Sequence, residues 1–362
     1  MGKITADNNV EAKLRSALET HFDPNRGAPY WLARAQELGF DPRAEIRCVA
    51  DLPRLGTMDP KDMASRSLEE FLPRRLLDRR SELIIGQTGG TLGRPAWTAY
   101  LEAEFRQAFV DPFLAAAKHV AFPEDGTWLY AGPSGPHIIA RAADAIARAS
   151  GAMSPFAVDF DPRWARKLAA GSFAAERYLR HIVDQALAIA ESQPVTVLFS
   201  TPIVVRALAS DMPPQQRDRI RGVHYGGMAI TANEMEELQE AAFPNAVHLS
   251  GYGNTLFGCC LELGVAPGRA LTYYPHGDRI LLGVLDESDD ENGRPTYCRA
   301  GQRGPLVFSR LDQTVLLLNV VERDDVQLCE PPTDAPAGFR LMGIESPSPR
   351  PEHGNVASIS LY

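Results

Sequence analysis

The sequence predicts an α/β fold of layered sheets, and three observations support this. Short apolar strands alternate with amphipathic helices through the middle of the chain, a pattern typical of largely parallel sheets. From Leu271 onward the predicted strands follow one another without helices between them, which indicates an antiparallel region. With 44% apolar and 23% charged residues among 362, the chain can fill one large domain or two to three lobes.

Residues 1–80 are predicted to be a helical N-terminal segment of the large domain. Apolar residues recur with helical spacing from Tyr30 to Leu38 and from Ala64 to Phe71. The pair Asp59 and Pro60 predicts a helix start, because aspartate caps a helix and proline suits its first position.

Residues 81–270 are predicted to form the α/β core. Ser81 to Ile85 reads as a strand that leads into a glycine-rich loop, and a helix is predicted from Glu102 to His119. Further strands are predicted at 128–130, 195–199, 223–225 and 247–249, and further helices at 137–148, 164–192 (in two pieces), 203–209 and 231–242.

The remaining residues divide into a β-rich subdomain at 271–330 and an irregular tail at 331–362. Antiparallel strands are predicted at 278–285, 305–310 and 314–321, with an acidic turn at 286–295. The tail is rich in proline, serine and glycine, which predicts irregular structure.

Charge and cysteine usage argue against several classes of function. A formal net charge of −9 disfavours binding to nucleic acid or to an anionic membrane, since both need a basic face. No apolar run approaches the ~20 residues of a membrane span, and residues 1–9 lack the apolar stretch of a secretory signal. The five cysteines form no CxxC pair and no zinc-type spacing, so we predict no metal ligands and a cytoplasmic location.

The loop at 86–95 is the most informative segment. Its glycines let a backbone approach an anion closely, its threonines add hydroxyl donors, and its arginine adds a permanent charge. These residues are Thr88, Gly89, Gly90, Thr91, Gly93 and Arg94. A Walker A pattern is absent, and spacing alone leaves open both a phosphate cradle and a plain glycine-rich turn.

Residues Thr88 to Pro95 resemble the [ST]-[SG]-G-[ST]-[TSE]-G-[KR]-P signature of adenylate-forming enzymes. Segments 28–31, 39–42, 52–53 and 59–62 resemble the phenylacetate–CoA ligase branch, and the similarity continues in order from Pro29 to Asp325. The resemblance implies the large N-terminal domain of such an enzyme, without the C-terminal catalytic lid domain. It also implies use of ATP and Mg²⁺ to activate an aromatic carboxylic acid as its acyl-adenylate.

The resemblance assigns further residues to the nucleotide site. The segment of Gly226, Gly227 and Met228 is similar to the family's adenine wall, and the segment 250–255 to its tyrosine–glycine element. Catalytic roles are implied for Thr88, Thr91, Arg94 and Thr255, and nucleotide contacts for Gly89, Gly90, Gly93, Gly226, Gly227, Met228, Ser250, Gly251, Tyr252, Gly253, Asn254 and Asp324. Asp324 resembles the carboxylate that holds the ribose hydroxyls, with Asp325 as the competing register.

The segment 131–137 resembles the turn that lines the acyl pocket of the phenylacetate branch, which implies substrate contacts for Ser134, His137 and Tyr225. His137 is predicted at a helix N-terminus, where the helix dipole favours a carboxylate. The alternative is a plain capping turn with a partly exposed histidine.

Three departures from the family pattern limit these expectations. Leu256 replaces the glutamate usually assigned to Mg²⁺, Asn319 and Val320 replace the usual arginine and tyrosine before the ribose aspartate, and no lysine follows Lys167. Thioester formation with coenzyme A is therefore not expected of this chain alone. The acyl group is expected to pass to a downstream acceptor or reductase protein, as in the similar acid-activating proteins of phenazine antibiotic pathways.

Two alternatives remain open. One is a degenerate module that binds an aryl acid or nucleotide without adenylation. The other is acyl transfer to a cysteine such as Cys329, as in fatty-acyl-protein synthetases. A homodimer is also left open.

Overall fold

The computed structural model describes residues 8–90, 94–228, 230–264, 268–289 and 294–350. They form two compact units. The discontinuous unit contains residues 8–108 and 274–350, and the central unit contains residues 109–273. The helical N-terminal segment and the β-rich segment, which are far apart in sequence, thus belong to one unit.

The N-terminal half of the discontinuous unit is mostly helical. Its helices are α1 (Asn8–His21), α2 (Pro29–Leu38), α3 (Pro42–Glu45), α4 (Pro60–Ser65) and α5 (Glu102–Phe105), with 3-10 helices at Val49–Leu55, Leu68–Glu70 and Arg74–Glu82. The predicted start of α4 is confirmed, because the Asp59 side chain accepts a hydrogen bond from the Lys61 N–H and Pro60 is the first helical residue. The helical spacing at 64–71 is divided between α4 and a 3-10 turn.

Two short strands flank the glycine-rich loop. Strands β1 (Ile84–Gln87) and β2 (Trp97–Tyr100) pair antiparallel, with Gln87 opposite Trp97. The predicted strand at Ser81 is wrong in position because the 3-10 helix continues to Glu82. The loop therefore joins the two strands of a hairpin, and β2, which the sequence did not predict, lies between the loop and α5.

The central unit is built around a mainly parallel sheet. Its strands are β3 (Trp128–Ala131), β4 (Phe156–Val158), β5 (Val197–Ser200), β6 (Gly222–Tyr225), β7 (Val247–Asn254) and β8 (Gly258–Leu261), in the order β4-β3-β5-β6-β7-β8, and a short strand β9 (Thr272–Tyr273) follows. The first five in that order are parallel and β8 is antiparallel to β7. This confirms the predicted parallel sheet and its four predicted strands.

The helices of the central unit connect these strands. They are α6 (Asp111–His119), α7 (Ile138–Ala149), α8 (Pro162–Ala165), α9 (Phe173–Ser192), α10 (Pro202–Asp211), α11 (Pro214–Arg217) and α12 (Ala232–Glu237), with π-helical turns at Arg106–Val110 and Leu238–Ala242. The helix predicted in two pieces at 164–192 is confirmed as α8 and α9. Strands β3, β5 and β6 are buried along their whole length, which explains their continuous apolar runs.

The C-terminal half of the discontinuous unit is an antiparallel sheet. Its strands are β10 (Ile280–Asp289), β11 (Pro295–Tyr297), β12 (Arg303–Leu311), β13 (Leu316–Cys329) and β14 (Gly343–Pro349), in the order β11-β10-β12-β13-β14. The predicted acidic turn is wrong at its start, because β10 continues to Asp289. The predicted irregular tail is wrong for Gly343–Pro349, which pairs with β13. Among the residues that the structure describes, no helix is long and apolar enough to span a membrane.

Candidate functional site

The carboxyl ends of four parallel strands lie in register at one edge of the central sheet. Ala131 pairs with Ser200, Ser200 with Tyr225, and Tyr225 with Ser250. The positions that follow these four therefore form a row, which we call the edge row: Gly132, Thr201, Gly226 and Gly251. At Gly132 and Gly226 the space that a Cβ would fill is occupied by the side chains of Tyr130 and Phe199, so both positions require glycine.

The order of the parallel strands places a switch point beside this row. The chain leaves β3 for β4 on one side and later returns to β5 on the other side of β3. In open α/β sheets, ligands bind at the carboxyl ends of the strands where the strand order reverses. A small cleft with a cavity volume of about 10 Å³, room for about one water molecule, lies there, lined by Tyr130, Ala131, Gly132, Pro133, Ile139, Phe199, Ser200, Thr201 and Gly226.

Thr201 is the polar exception in the cleft. Its side chain is 1% exposed, and its hydroxyl has no hydrogen-bond partner within the protein. It is the N-cap residue of α10, yet its side chain makes no capping bond. A buried hydroxyl without a partner costs about 1–3 kcal/mol, so it calls for an explanation such as a ligand.

The turn after β6 carries the residues of the predicted adenine wall. A Cβ at Gly226 would lie 3.0 Å from the Phe199 ring, which is tighter than an ordinary contact. Gly227 is exposed and has φ +82°, a conformation that favours glycine, and Met228 is half-buried beside it.

The turn between β7 and β8 is shaped by its own side chains. The Asn254 Oδ1 accepts hydrogen bonds from the N–H groups of Leu256 (2.8 Å) and Phe257 (3.2 Å). The Tyr252 ring lies 5.8 Å from the Tyr273 ring, centroid to centroid. Asn254 thus fixes the turn that carries Tyr252 and the largely buried Thr255.

A buried acid lies beside this turn. The Glu262 N–H donates to the Ser250 carbonyl oxygen (3.2 Å), and its Oε1 accepts from the Gly264 N–H (2.6 Å). Its Oε2 is buried without a hydrogen-bond partner, while the Ser250 hydroxyl bonds Tyr273. Burial raises the pKa of Glu262 to about 7, although backbone hydrogen bonds from Gly264 and Ser250 to its carboxyl group oppose this.

Replacing Glu262 with glutamine is expected to stabilise the protein at pH 8 and to change little at pH 4.5. The folded state keeps this proton to higher pH than the unfolded chain, so its stabilising contribution is lost as pH rises from about 4.5 to about 7. The full effect is at most about 3 kcal/mol. Thermal unfolding across this pH range measures it. Glu240→Gln, at an exposed position, is the control, and an equal shift at both pH values would contradict the assignment.

The predicted substrate residues occupy different environments. Tyr225 is fully buried, and its hydroxyl donates to His248 Nδ1 (2.7 Å), because His248 Nε2 donates to the Phe243 carbonyl (3.2 Å). His137 is 4% exposed at the N-cap of α7. The Ser134 N–H donates to Asp159 Oδ1 (2.8 Å). The Tyr225 hydroxyl is therefore already bound to His248. His137, by contrast, lies at the start of α7, whose first turn lines the cleft.

The glycine-rich loop lies in the discontinuous unit, and Thr91 and Gly93 lie outside the described residues. The Thr88 hydroxyl accepts a hydrogen bond from the Ala96 N–H (2.9 Å), and the Thr88 N–H donates to the Ala96 carbonyl (2.9 Å). Thr88 thus closes the base of the loop and keeps its hydroxyl proton for donation. Gly89 and Gly90 are half-buried and Arg94 is exposed.

The two candidate ribose residues are successive residues of β13, so their side chains point to opposite faces of the sheet. Asp324 is 15% exposed and lies 3.9 Å from the Arg323 guanidinium. Asp325 is 3.5 Å from the Arg350 guanidinium. Of the two candidate ribose residues, Asp325 therefore has the closer ion pair.

The described residues give little support for catalysis by a cysteine or for a bound metal ion. All five cysteines are free thiols. Burial raises the pKa of Cys329 to about 11, although a hydrogen bond with Tyr274 opposes it, so its thiol is protonated at neutral pH. Within the described ranges, no three His, Cys, Asp or Glu side chains are grouped to hold a metal ion.

Comparison with solved structures identifies the fold. A 2-hydroxyisobutyryl-CoA ligase in the postadenylation state, in complex with 2-HIB-AMP, matches with a TM-score of 0.63 and 15% identity, over 97% of this chain and 69% of the ligase. The fold is that of the large N-terminal domain of adenylate-forming ligases. The same ligase in its thioesterification state, with 2-HIB-AMP and CoA, matches with a TM-score of 0.61 and 16% identity, over 95% and 67% of the two chains.

Other comparisons add less. ATP-bound MatB from Rhodopseudomonas palustris has a TM-score of 0.41 at 17% identity, over 71% of this chain and 47% of MatB. Neither a protein-family model nor a curated relative matches the sequence. The ligase-type fold confirms the predicted fold class.

Several cleft residues were missed by the sequence interpretation, among them Thr201, Phe199 and Ile139. A signal was present, since three of the four positions in the edge row are glycine and each follows a predicted strand. Thr201 follows the fourth such strand and could have been found by the same rule.

Proposed function

We propose that the protein activates an aromatic carboxylic acid with ATP as its acyl-adenylate, acting in the cytoplasm. The acyl group then passes to a downstream acceptor or reductase protein. The observation that carries this proposal is the position of the small cleft at the switch point, bordered by the glycine turn after β6 and followed two strands away by the Tyr252 turn. The fold of adenylate-forming ligases supports it. Membership of the phenylacetate–CoA ligase branch and a role in a phenazine pathway are part of the proposal.

In this mechanism a carboxylate oxygen of the acid attacks the α-phosphorus of ATP, and pyrophosphate leaves with the electron pair of the broken P–O bond. The turn of Gly226 and Gly227 borders the nucleotide, and the Tyr252 ring supplies a stacking surface. In the central unit the Thr255 hydroxyl donates to a phosphate oxygen, while the phosphate roles of Thr88 and Arg94 rest on the family resemblance.

Magnesium is expected from the resemblance, but the described residues do not fit a protein-held magnesium site. Leu256 is buried where the family has a glutamate. Glu262, the nearest substitute in sequence, is buried, and its raised pKa disfavours the ionised form that a metal requires. No step of the mechanism above depends on a metal held by the chain.

Exchange of labelled pyrophosphate into ATP tests the proposal. We expect exchange that depends on the presence of an aromatic carboxylic acid. Arg94→Ala is expected to lower the exchange rate about tenfold or more, since charge-assisted contacts to phosphate are worth about 1.5–3 kcal/mol. The exposed Arg219→Ala is the control. Folded protein that gives no exchange with any acid rules out adenylation.

A second candidate is a binding module that holds an aryl acid or nucleotide without chemistry. The buried Leu256 favours it, because it removes a charged group from the nucleotide end. Calorimetry separates the two functions: acid binding without exchange supports the module. Acyl transfer to Cys329 is disfavoured by the raised pKa of its thiol, and Cys329→Ser is expected to leave exchange unchanged.

A further inference from the structure

Two exposed aromatic side chains lie on neighbouring helices of the central unit. Trp164 of α8 is 53% exposed, and Phe173, the first residue of α9, is 77% exposed. The Asp161 N–H at the start of α8 donates to the Tyr178 hydroxyl of α9 (2.8 Å), which holds the two helices together. Along its own helix, Trp164 lies about 5 Å and Phe173 about 8 Å from that hydrogen bond. Exposed apolar groups that cluster in this way mark a surface that binds a partner.

Each aromatic side chain is followed, one helical turn later, by an exposed basic side chain. Lys167 comes three residues after Trp164, and its N–H donates to the Trp164 carbonyl (2.9 Å). Arg177 comes four residues after Phe173 in α9. Residues at these spacings share one face of a helix. Within the described ranges, neither Lys167 nor Arg177 forms an ion pair. We call Trp164, Lys167, Phe173 and Arg177 the aromatic–basic patch.

The patch lies at the same edge of the sheet as the edge row. Helix α8 follows β4, which is parallel to β3 and next to it, so α8 begins at the carboxyl ends of the strands. Burial lowers the pKa of His137, the guanidiniums of Arg163 and Arg166 lower it further, and Asp161 and Asp159 oppose them. These charges therefore lie near the start of α7, whose first turn lines the cleft. A partner on the patch is thus beside the edge row.

The charges around the patch favour an acidic protein over an anionic lipid surface. The chain as a whole has a formal net charge of −9, whereas the patch presents two cations without ion-pair partners among the described residues. Three exposed acidic residues lie close by in sequence: Asp159, Asp161 and Glu176. A uniformly anionic membrane would repel these three. A helix, in contrast, can place single carboxylates opposite the two cations and apolar side chains opposite the two aromatic rings.

We propose that the aromatic–basic patch docks an acidic amphipathic helix of the protein that accepts the acyl group. The apolar face of such a helix contacts Trp164 and Phe173, and carboxylates on its flanks pair with Lys167 and Arg177. Tryptophan and arginine are the side chains that most often dominate the binding energy of protein interfaces. This inference rests on the proposed function only for the identity of the partner as the acyl acceptor.

Fluorescence anisotropy with the full chain and two labelled helical peptides of about 16 residues tests the docking surface. One peptide carries leucines along one face and glutamates on both flanks, and in the other peptide every glutamate is replaced by glutamine. We expect the glutamate peptide to bind about threefold to tenfold more tightly, as two exposed ion pairs contribute about that factor. Added salt is expected to reduce the difference, because it screens exposed charges.

Two double variants separate the apolar contacts from the charges. Trp164→Ser with Phe173→Ser is expected to weaken binding of both peptides about tenfold or more. Lys167→Glu with Arg177→Glu is expected to abolish the preference for the glutamate peptide and to leave the glutamine peptide within about twofold. The controls are Met153→Ser, a 68% exposed position before β4, and Lys118→Glu in α6, both expected to bind within about twofold of the wild type.

All substituted positions are exposed, so we expect these variants to fold and to keep the wild-type rate of pyrophosphate exchange, which needs no acceptor. Equal affinity for the two peptides, or no loss in either double variant, overturns the inference. So does binding to phosphatidylglycerol vesicles, or a dimer in sedimentation, that is lost in Trp164→Ser with Phe173→Ser. Peptide binding without pyrophosphate exchange would reject adenylation and leave the docking surface standing, whereas exchange without peptide binding would reject the docking surface alone.

Discussion

Replacing Asp312 with asparagine is expected to lower the free energy of unfolding by about 3–5 kcal/mol. Asp312 is fully buried between two arginines of the discontinuous unit. Arg279 donates to both of its oxygens (3.0 and 2.6 Å), and Arg310 donates to Oδ2 (2.5 Å). Burial alone would raise the pKa of Asp312, but the two guanidiniums outweigh it and hold the pKa below its ordinary value.

The loss is large because asparagine leaves two buried guanidiniums without their counter-charge. Arg310 is itself 0% exposed, and it donates to Thr98 Oγ1 (2.8 Å) and to the Ala99 carbonyl (2.7 Å) in β2. The Tyr100 ring lies 3.8 Å from the Arg310 guanidinium carbon. The same cluster therefore holds β2, the strand that closes the glycine-rich loop, and its loss is expected to lower pyrophosphate exchange as well.

Urea unfolding with a comparison of midpoints and slopes measures the change. The matched control is Asp278→Asn, which breaks a half-exposed ion pair with Lys13 (2.9 Å) and is expected to cost less than about 1 kcal/mol. If Asp312→Asn loses no more than this control, the buried cluster does not stabilise the fold in the way argued.

The parallel strands were predictable because they are buried on both faces and read as continuous apolar runs. The strands that were missed depend on pairing with distant residues. Strand β14 contains two prolines and two serines and has weak intrinsic preference for a strand, and its pairing with β13 decides its structure. Likewise, the acidic residues at the end of β10 are extended because Asp289 pairs with Pro295 across the sheet.

The candidate site shows the same division between local and non-local information. The glycine turns at Gly226 and Gly251 could be predicted from strand–turn–helix patterns and from the family resemblance. The unpartnered hydroxyl of Thr201 was not, because a missing hydrogen-bond partner is a property of the packed structure. Asn254, predicted as a nucleotide contact, uses its side-chain oxygen to form the turn, which no spacing rule reveals.

Replacing Gly253 with alanine is expected to destabilise the protein by about 1–3 kcal/mol or more and to lower nucleotide binding sharply. A Cβ at this position would lie 2.0 Å from the Gly258 carbonyl oxygen and 2.8 Å from Cys259 Cα. Both are main-chain atoms of the facing strand β8, in which Cys259 pairs with Gly253. Relief therefore requires β7 and β8 to separate, which displaces the turn that carries Tyr252 and Thr255.

Gly251→Ala, two residues earlier on the same strand, is the matched control. Its Cβ would meet side-chain atoms of His224 (3.5 Å) and Leu261 (3.6 Å) and the Tyr225 carbonyl oxygen (3.7 Å), all at ordinary contact distance. We expect this variant to unfold within about 0.5 kcal/mol of the wild type. Amide hydrogen exchange then locates the damage: Gly253→Ala should speed exchange in β8, and Gly251→Ala should not. Wild-type nucleotide affinity in Gly253→Ala would mean that the Tyr252 turn does not contact the nucleotide, and the adenylation site would have to be sought elsewhere along the sheet edge.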